Sequence, residues 1–398
     1  SSIYHKIIKS VFVFIGFSLI FNFVVYDFGF FSMRIMDVLG PSFILISLLY
    51  FLLWKVDLGP YHFFLFVVIC LLTSILFMSF ESDFNGVLTT SRHLLYISFA
   101  YFISIYFIKT LELGTMFFIG IILGAISSLL VMYGQYLELS YFDTLKPSGA
   151  KLWWVSERQR YTGIFEHPNA ASQITMIGIV PLLYFYLSSR NMMFLFFSIL
   201  CVFLLYFLTQ TRSSLVIFSI LLLFCVFKSN NFRHKVSFII FLFVGILLFS
   251  EYIFEVMNDR WVGHGVVSIS SNFLERLETQ VVSLSYGLVH PFGLGWQGKE
   301  IMLINEFGFN ATHNGFISFL VVYGLIFSTV FFIYMTYMFY VIVFNSFSDI
   351  NVFTFPFLSL YFSFYFEDVI NSPAIIFLSF LFVFFRKYNT HSKNIKMA

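Results

Sequence analysis

The sequence predicts an all-α polytopic membrane protein with about twelve transmembrane helices. Three observations predict it. Hydrophobic residues make up 60% of the chain and charged residues only 11%, with a mean hydropathy of +0.91; a soluble domain is roughly half apolar and about a quarter charged. The apolar residues come in runs close to the ~20 residues that a helix needs to cross a hydrocarbon core. Basic residues are also divided unevenly between the connections on alternate sides of those runs.

The runs lie near Ile7–Tyr26, Asp37–Leu53, Tyr61–Phe80, Arg92–Ile108, Gly114–Leu137, Pro168–Leu187, Met192–Leu208, Arg212–Phe227, Val236–Ile253, His313–Phe344, Asn351–Phe366 and Pro373–Phe385. No fixed-period repeat or low-complexity linker divides them, so residues 1–398 read as one membrane domain. The first run lacks a small-residue cleavage site and reads as a span rather than a signal peptide; Ser1-Ser2 in place of a methionine reads as a trimmed start. The tenth run is long enough to tilt strongly or to project above the bilayer. Cys70, Cys201 and Cys225 fall inside apolar runs and read as small core residues rather than disulfides or ligands.

Orientation follows from lysine and arginine. With the N-terminus inside, the inner face collects Lys6, Lys9, Lys55, Lys109, Arg190, Lys228, Arg233, Lys235, Arg386, Lys387, Lys393 and Lys396 in short loops and tails. Both termini are then cytoplasmic. Two longer loops fall outside, residues 138–167 and 254–312. Lysine dominates the inner face, whereas arginine dominates the outer one: Arg34, Arg92, Arg158, Arg160, Arg212, Arg260 and Arg276. Topology does not require arginine outside. Its planar fork binds phosphate or carboxylate by two bonds at once. The net charge of +2 implies no polyanionic partner, and nucleic acid is not expected.

Three outer helix starts carry polar residues of an unusual kind. The sixth run begins YTGIFEHPNAAS, with Pro168 suited to the first helical turn, His167 and Asn169 beside it, and Arg160 upstream. The eighth begins TQTRSSL, with Thr209 or Thr211 as cap and Arg212 in the first turn. The tenth begins FNATHNGF, with His313 and Asn314 in the first turn. All three run from outside to inside, so their free amides and partial positive charge point outward. A basic residue at such an end fits best where an anion visits. Scattered loop charges and snorkelling are the plain alternatives for any one of them.

The loop before the tenth run reads SNFLERLETQVVSLSYGLVHPFGLGW. Asn272 and Glu275 have capping-box spacing, and Phe273, Leu277, Val281, Leu284 and Leu288 recur at helical spacing. The prediction is an amphipathic helix over the outer mouth, with Arg276 on its polar side. His290 opens the turn HPFGLGW, which returns the chain toward His313 and reads first as a structural turn. The outer acids form no metal-type spacing, so no metal or other cofactor is expected.

In that order, RYTGIFEHPNAAS, TQTRSSLVIF, HPFGLGW and THNGFISFLVVYGLIF resemble the O-antigen polymerase and O-antigen ligase superfamily, over roughly Arg160–Phe327. The first five runs carry no signature of it. The resemblance implies a GT-C-type membrane glycosyltransferase that takes glycan from an undecaprenyl-diphosphate donor on the outer side of the bacterial inner membrane. It places the essential histidine at His313, the arginine of the eighth span at Arg212 and the loop-helix arginine at Arg276. Arg160, His167, Asn169, Asn314 and His290 are the expected substrate-binding residues, with the lipid-linked donor and acceptor and a chain-length regulator as partners.

The chemistry suits those residues. Breaking the anomeric bond builds charge on the diphosphate, which Arg212, Arg276 and Arg160 can neutralise. A neutral imidazole can take the acceptor's proton, or His313 can instead orient the diphosphate. Direct displacement inverts the anomeric centre. The residue bias favours a polymerase of O-antigen or capsule repeat units. A ligase transferring glycan to lipid A–core is the alternative, and a transporter or flippase the rival of another class. Mid-span segments lack the acidic and basic residues that transporters use.

Overall fold

The computed structural model describes residues 2–27, 32–54, 61–147, 153–155, 158–228, 265–308, 312, 314–344, 350–368, 370 and 372–397. The chain is mostly helical. The first group is α1 (Ser2–Ile20), α2 (Ile35–Trp54), α3 (Tyr61–Phe80), α4 (Phe84–Lys109), α5 (Leu111–Tyr136) and the short α6 (Ser140–Asp143). The second is α7 (Pro168–Ile179), α8 (Pro181–Ser189), α9 (Met192–Thr209) and α10 (Arg212–Lys228). The third is α11 (Gly265–Val289), α12 (Gly295–Phe307), α13 (Gly315–Tyr323), α14 (Leu325–Phe344), α15 (Thr354–Phe366) and α16 (Pro373–Met397). Helices occupy eleven of the twelve apolar runs, and the ninth, Val236–Ile253, lies outside the described residues.

Among the described residues, five helical segments are long and apolar enough to cross a membrane: Tyr61–Phe80, Glu112–Tyr136, Pro168–Ser189, Met192–Thr209 and Leu325–Phe344. Their burial separates centre from periphery. Pro168–Ser189 is 78% buried, against 28% for Tyr61–Phe80 and for Leu325–Phe344. The outer helices therefore turn Leu45, Ile46, Leu76 and Ile333 outward, an apolar exterior too extensive for water and suited to lipid.

With lipid outside, helices associate through close packing rather than hydrophobic collapse. α1 and α5 show this. Gly120 and Gly124, one turn apart, lie against the α1 backbone at Val13 and Phe17, and Gly16 lies against the Phe117 carbonyl. α4 and α16 pack through rings, with Phe99–Phe377 centroids at 5.1 Å and Tyr101–Phe384 at 5.3 Å.

The helical architecture expected from the sequence carries little sheet. Two short antiparallel pairs occur, β1 (Val24–Asp27) with β2 (Ser32–Arg34) and β3 (Trp153–Val155) with β4 (Arg158–Arg160). Both occupy connections whose first strands are rich in valine and aromatic residues, which favour extended pairing.

Polar contacts mark the two ends of the bundle. At one end Lys9 and His5 meet Glu112. At the other, Arg34 pairs with Glu166 at 3.0 Å, and Arg92 pairs with Asp37 at 2.9 Å while donating to the Ser32 carbonyl at 2.6 Å. The hairpin β1–β2 is thereby held against the starts of α4 and α7. Asp83 adds a shared cap there, accepting from the Gly86 N–H at 2.8 Å and the Gln297 N–H at 2.9 Å, so that one carboxylate ties α12 to α4.

Two apolar runs expected as continuous spans are broken. The sixth breaks between α7 and α8, where Pro181 has no N–H to continue the ladder. The tenth breaks between α13 and α14 at Gly324, whose φ is +83°. There Leu294 donates its N–H to the Val321 carbonyl at 2.7 Å, and Leu325 donates to the Pro291 carbonyl at 2.9 Å. The turn following α11 is thus threaded into the break, and its backbone satisfies groups that the helix has released.

α11 departs from its predicted form. It begins at Gly265, so Asn272 lies inside the helix and the capping-box reading fails. Val266, Val267 and Ile269 extend the apolar pattern upstream, and an interior asparagine costs only about 0.7 kcal/mol or less. Its two faces are distinct. Leu277, Val281, Leu284 and Leu288 are exposed, Val281 by 60%, while Thr279 and Ser283 are buried and Gly287 rests on Leu320 of α13. Small residues permit the close helix contact, and the apolar stripe is left to face lipid. Arg276 shares the periodicity of Thr279, Ser283 and Gly287, so it continues the packing face rather than a separate polar one.

Candidate active site

The most deeply buried span carries the first part of the site. Pro168 opens α7 and His167 is its N-cap, with Nδ1 accepting from the Asn169 N–H at 3.1 Å. The cap fixes Asn169, whose amide then serves two sides. Its Oδ1 accepts from Arg160 Nη2 at 2.7 Å and from the Thr211 hydroxyl at 3.3 Å. Its Nδ2 donates to Glu367 Oε2 at 3.0 Å. Arg160, the last residue of β4, also donates from Nε to the Thr209 carbonyl at 2.6 Å and from Nη2 to Thr211 Oγ1 at 3.0 Å.

The α9–α10 turn supplies the second part. Gln210 adopts the left-handed conformation, φ +52°, and reverses the chain between Thr209 and Thr211. Thr211, expected as a helix cap, is engaged by Arg160 and Asn169. Arg212 then begins α10 with an exposed side chain. Ser213 donates to Glu367 Oε1 at 3.3 Å and accepts from Gln173 Nε2 at 2.7 Å. Ser363 donates to Gln173 Oε1 at 2.6 Å. A continuous polar chain thus runs from α15 through the fully buried Gln173 to Arg160, with every amide satisfied as burial demands.

The third helix start meets the same point. Asn314 caps α13, its Oδ1 accepting from the Phe316 N–H at 3.0 Å and the Ile317 N–H at 3.1 Å. Gly315 lies against the Phe364 ring and the Glu367 carbonyl. Thr312 bonds Ser318 at 2.5 Å and donates to Asp368 Oδ2 at 3.5 Å, the oxygen that Lys299 of α12 holds at 2.5 Å. This ion pair is almost wholly buried. It fixes the residue just before position 313 to the loop after α15.

Glu367, the C-cap of α15, therefore stands where the starts of α7, α10 and α13 converge. Burial pushes its carboxyl above the usual carboxylate range. The Asn169 bond, the Arg276 charge, the Ser213 bond and the Arg160 charge oppose that rise. Arg276, on the packing side of α11, thus acts on the same carboxylate from an exposed position.

Of the residues expected from the sequence, Arg160 and Asn169 touch directly, His167 orients Asn169, Arg276 acts on Glu367 by charge, and Arg212 immediately precedes Ser213, which donates to Glu367. Asn314 is at the convergence, but its carboxamide oxygen is committed to the α13 cap. His290 donates from Nδ1 to the Tyr286 carbonyl at 2.9 Å and its ring stacks on Tyr286, so its contacts close the end of α11. His313 lies outside the described residues. Glu367, Asp368, Lys299, Gln173 and Ser213 were not singled out from the sequence. Gln173, a lone amide in a buried apolar helix, was the one visible signal.

No protein-family profile matches the chain, and no curated protein is detectably similar to it in sequence. The geometry itself yields a test. Arg160→Lys keeps the charge but not the fork that reaches Thr209, Thr211 and Asn169 together. It is expected to cost about 1–2 kcal/mol of stability, read as a lower thermal midpoint in detergent.

Proposed function

We propose that the chain is a membrane glycosyltransferase that polymerises undecaprenyl-diphosphate-linked oligosaccharide repeat units by metal-independent, inverting transfer on the outer face of the inner membrane. Twelve spans with both termini inside put the Glu367 end of the bundle outside. The observation that carries this reading is the convergence of three helix starts at one buried carboxylate, with Arg160 fixed beside it, Arg276 acting on it by charge from an exposed position, and Arg212 exposed in the first turn of α10. Helix starts and guanidinium groups favour an anion with several oxygens. The apolar stripe of α11 places lipid contact on the same helix as Arg276, which fits a ligand that is both lipid and anion.

In this mechanism the donor diphosphate lies against Arg212 and Arg276, with the fixed α7 and α10 starts behind it. The acceptor hydroxyl attacks the anomeric carbon from the opposite side. Negative charge grows on the bridging oxygen as the bond breaks, and the arginines stabilise it there more than in the ground state.

Broken spans are a feature of transporters, but the break at Gly324 is closed by protein. At Gly324 the released groups meet the backbone of Pro291 and Leu294, so they are not turned toward an ion or solute.

The deciding experiment supplies purified protein with defined undecaprenyl-diphosphate repeat units, with and without lipid A–core. Lengthening of the lipid-linked glycan without core supports polymerisation. Transfer only to core identifies a ligase, and no consumption of donor by active preparations overturns the glycosyltransferase reading. Since arginine side chains provide the countercharge, EDTA is expected to leave the rate unchanged; a loss restored by a divalent cation would contradict that.

A further inference from the structure

We propose that Glu367 is the catalytic base that takes the acceptor hydroxyl's proton. This inference rests on the glycosyltransferase reading above. It gives the proton to a residue at the helix convergence, and it leaves His313 to hold the diphosphate.

Glu367 is the carboxylate that joins the two halves of the polar chain, Ser213 on one oxygen and Asn169 on the other. It is 9% exposed, and among the described residues it receives two side-chain donors, Asn169 Nδ2 at 3.0 Å and Ser213 Oγ at 3.3 Å, one on each oxygen. A carboxylate has about four lone-pair directions, so each oxygen retains capacity for a further donor. An incoming hydroxyl is such a donor. Asn169 cannot move to satisfy that capacity, because Arg160 and Thr211 hold its other end. Ser213 is held likewise by Gln173. The carboxylate is thus fixed by groups that are themselves fixed, as catalysis by a positioned base requires.

The surrounding charges fit the same role. Arg160 on β4 and Arg276 on α11 face Glu367, and Arg212 begins α10 beside its partner Ser213. Asp368, the next residue, is neutralised by Lys299 on α12. Burial raises the proton affinity of the Glu367 carboxyl, and the Asn169 bond and the Arg276 charge, with Ser213 and Arg160, oppose that rise, the kind of perturbation found where a carboxylate does proton chemistry. When a diphosphate engages Arg276, that arginine supports the carboxylate less, and its affinity for a proton increases.

The step balances. A bond forms between the acceptor oxygen and the anomeric carbon as the bond from that carbon to the diphosphate oxygen breaks. The electron pair leaves with the diphosphate, and the hydroxyl proton goes to Glu367. The proton later passes to water or to the departing diphosphate.

Azide separates this role from a structural one, because it attacks the anomeric carbon without needing a base. Purified full-length protein would be given an undecaprenyl-diphosphate-linked repeat unit with either the sugar acceptor or sodium azide. Glu367→Gln is expected to lower sugar transfer by at least ~10²-fold while glycosyl azide forms at a rate comparable to wild type. His313→Ala is expected to lose both products. Loss of both products in Glu367→Gln and also in Glu367→Asp makes Glu367 a structural strut and overturns the proposal. Azide product retained in His313→Ala, with sugar transfer lost, assigns the base to His313 and overturns it equally. Wild-type protein that forms neither product removes the glycosyltransferase reading itself.

Discussion

Arg212→Ala is expected to stop chain elongation without unfolding the protein. Arg212 begins α10 with its side chain exposed, and a cation in the first turn opposes the helix dipole at a cost of about 0.3–1 kcal/mol. Its removal should therefore leave the thermal midpoint unchanged or slightly raised. Activity should move the other way. If Arg212 stabilises charge on the leaving diphosphate, its loss resembles removal of one preorganised donor, about 10²–10³ in rate. Arg212→Lys restores the charge but offers one point contact where a fork grips two oxygens, so it should recover only part of the loss. The combination is diagnostic: an exposed residue whose deletion costs no stability and nearly all activity. Ladder length from defined lipid-linked repeats, measured beside the melting curve, tests both halves. A normal ladder from Arg212→Ala would take Arg212 out of the site.

The sequence conveyed the helical architecture because each apolar run is a local signal. It also conveyed three polar helix starts, since caps and first-turn residues are fixed by nearest neighbours. His167, Pro168 and Asn169 could be read directly for this reason. The meeting of those starts at Glu367 was not legible. Glu367 follows an uncharged helix and looks like any acid at a span end, and only long-range packing brings Asn169 and Ser213 to it. Lys299 and Asp368 were hidden in the same way, as ordinary loop charges 69 residues apart. Which face of α11 meets protein was not legible for a different reason. Periodicity finds an apolar stripe but cannot say whether protein or lipid covers it. In this chain the small residues Thr279, Ser283 and Gly287 take the protein contact.

The helix break at Gly324 was missed because a single glycine in an apolar run is weak evidence, and its meaning emerges only with the turn that fills it. Gly324→Ala is therefore expected to have a large effect on folding. The residue sits at φ +83°, ψ 174°, a region essentially reserved for glycine, where another residue costs about 1–3 kcal/mol. A methyl group there would also strike the Pro291 carbonyl and the Gly293 N, adding about 1–3 kcal/mol of overpacking. Gly293, at φ +80°, is pressed against the Val322 carbonyl from the other side, so neither strand of the contact can retreat. A total loss of about 4 kcal/mol is expected, visible as a sharply lower thermal midpoint and poor recovery from the membrane. The break anchors α11 and α12, and through them Arg276 and Lys299. Any folded fraction of Gly324→Ala should then also show a weakened grip on diphosphate, measurable as reduced binding of undecaprenyl diphosphate. Wild-type stability in this variant would mean that the threaded turn is not what joins the loop helices to the bundle.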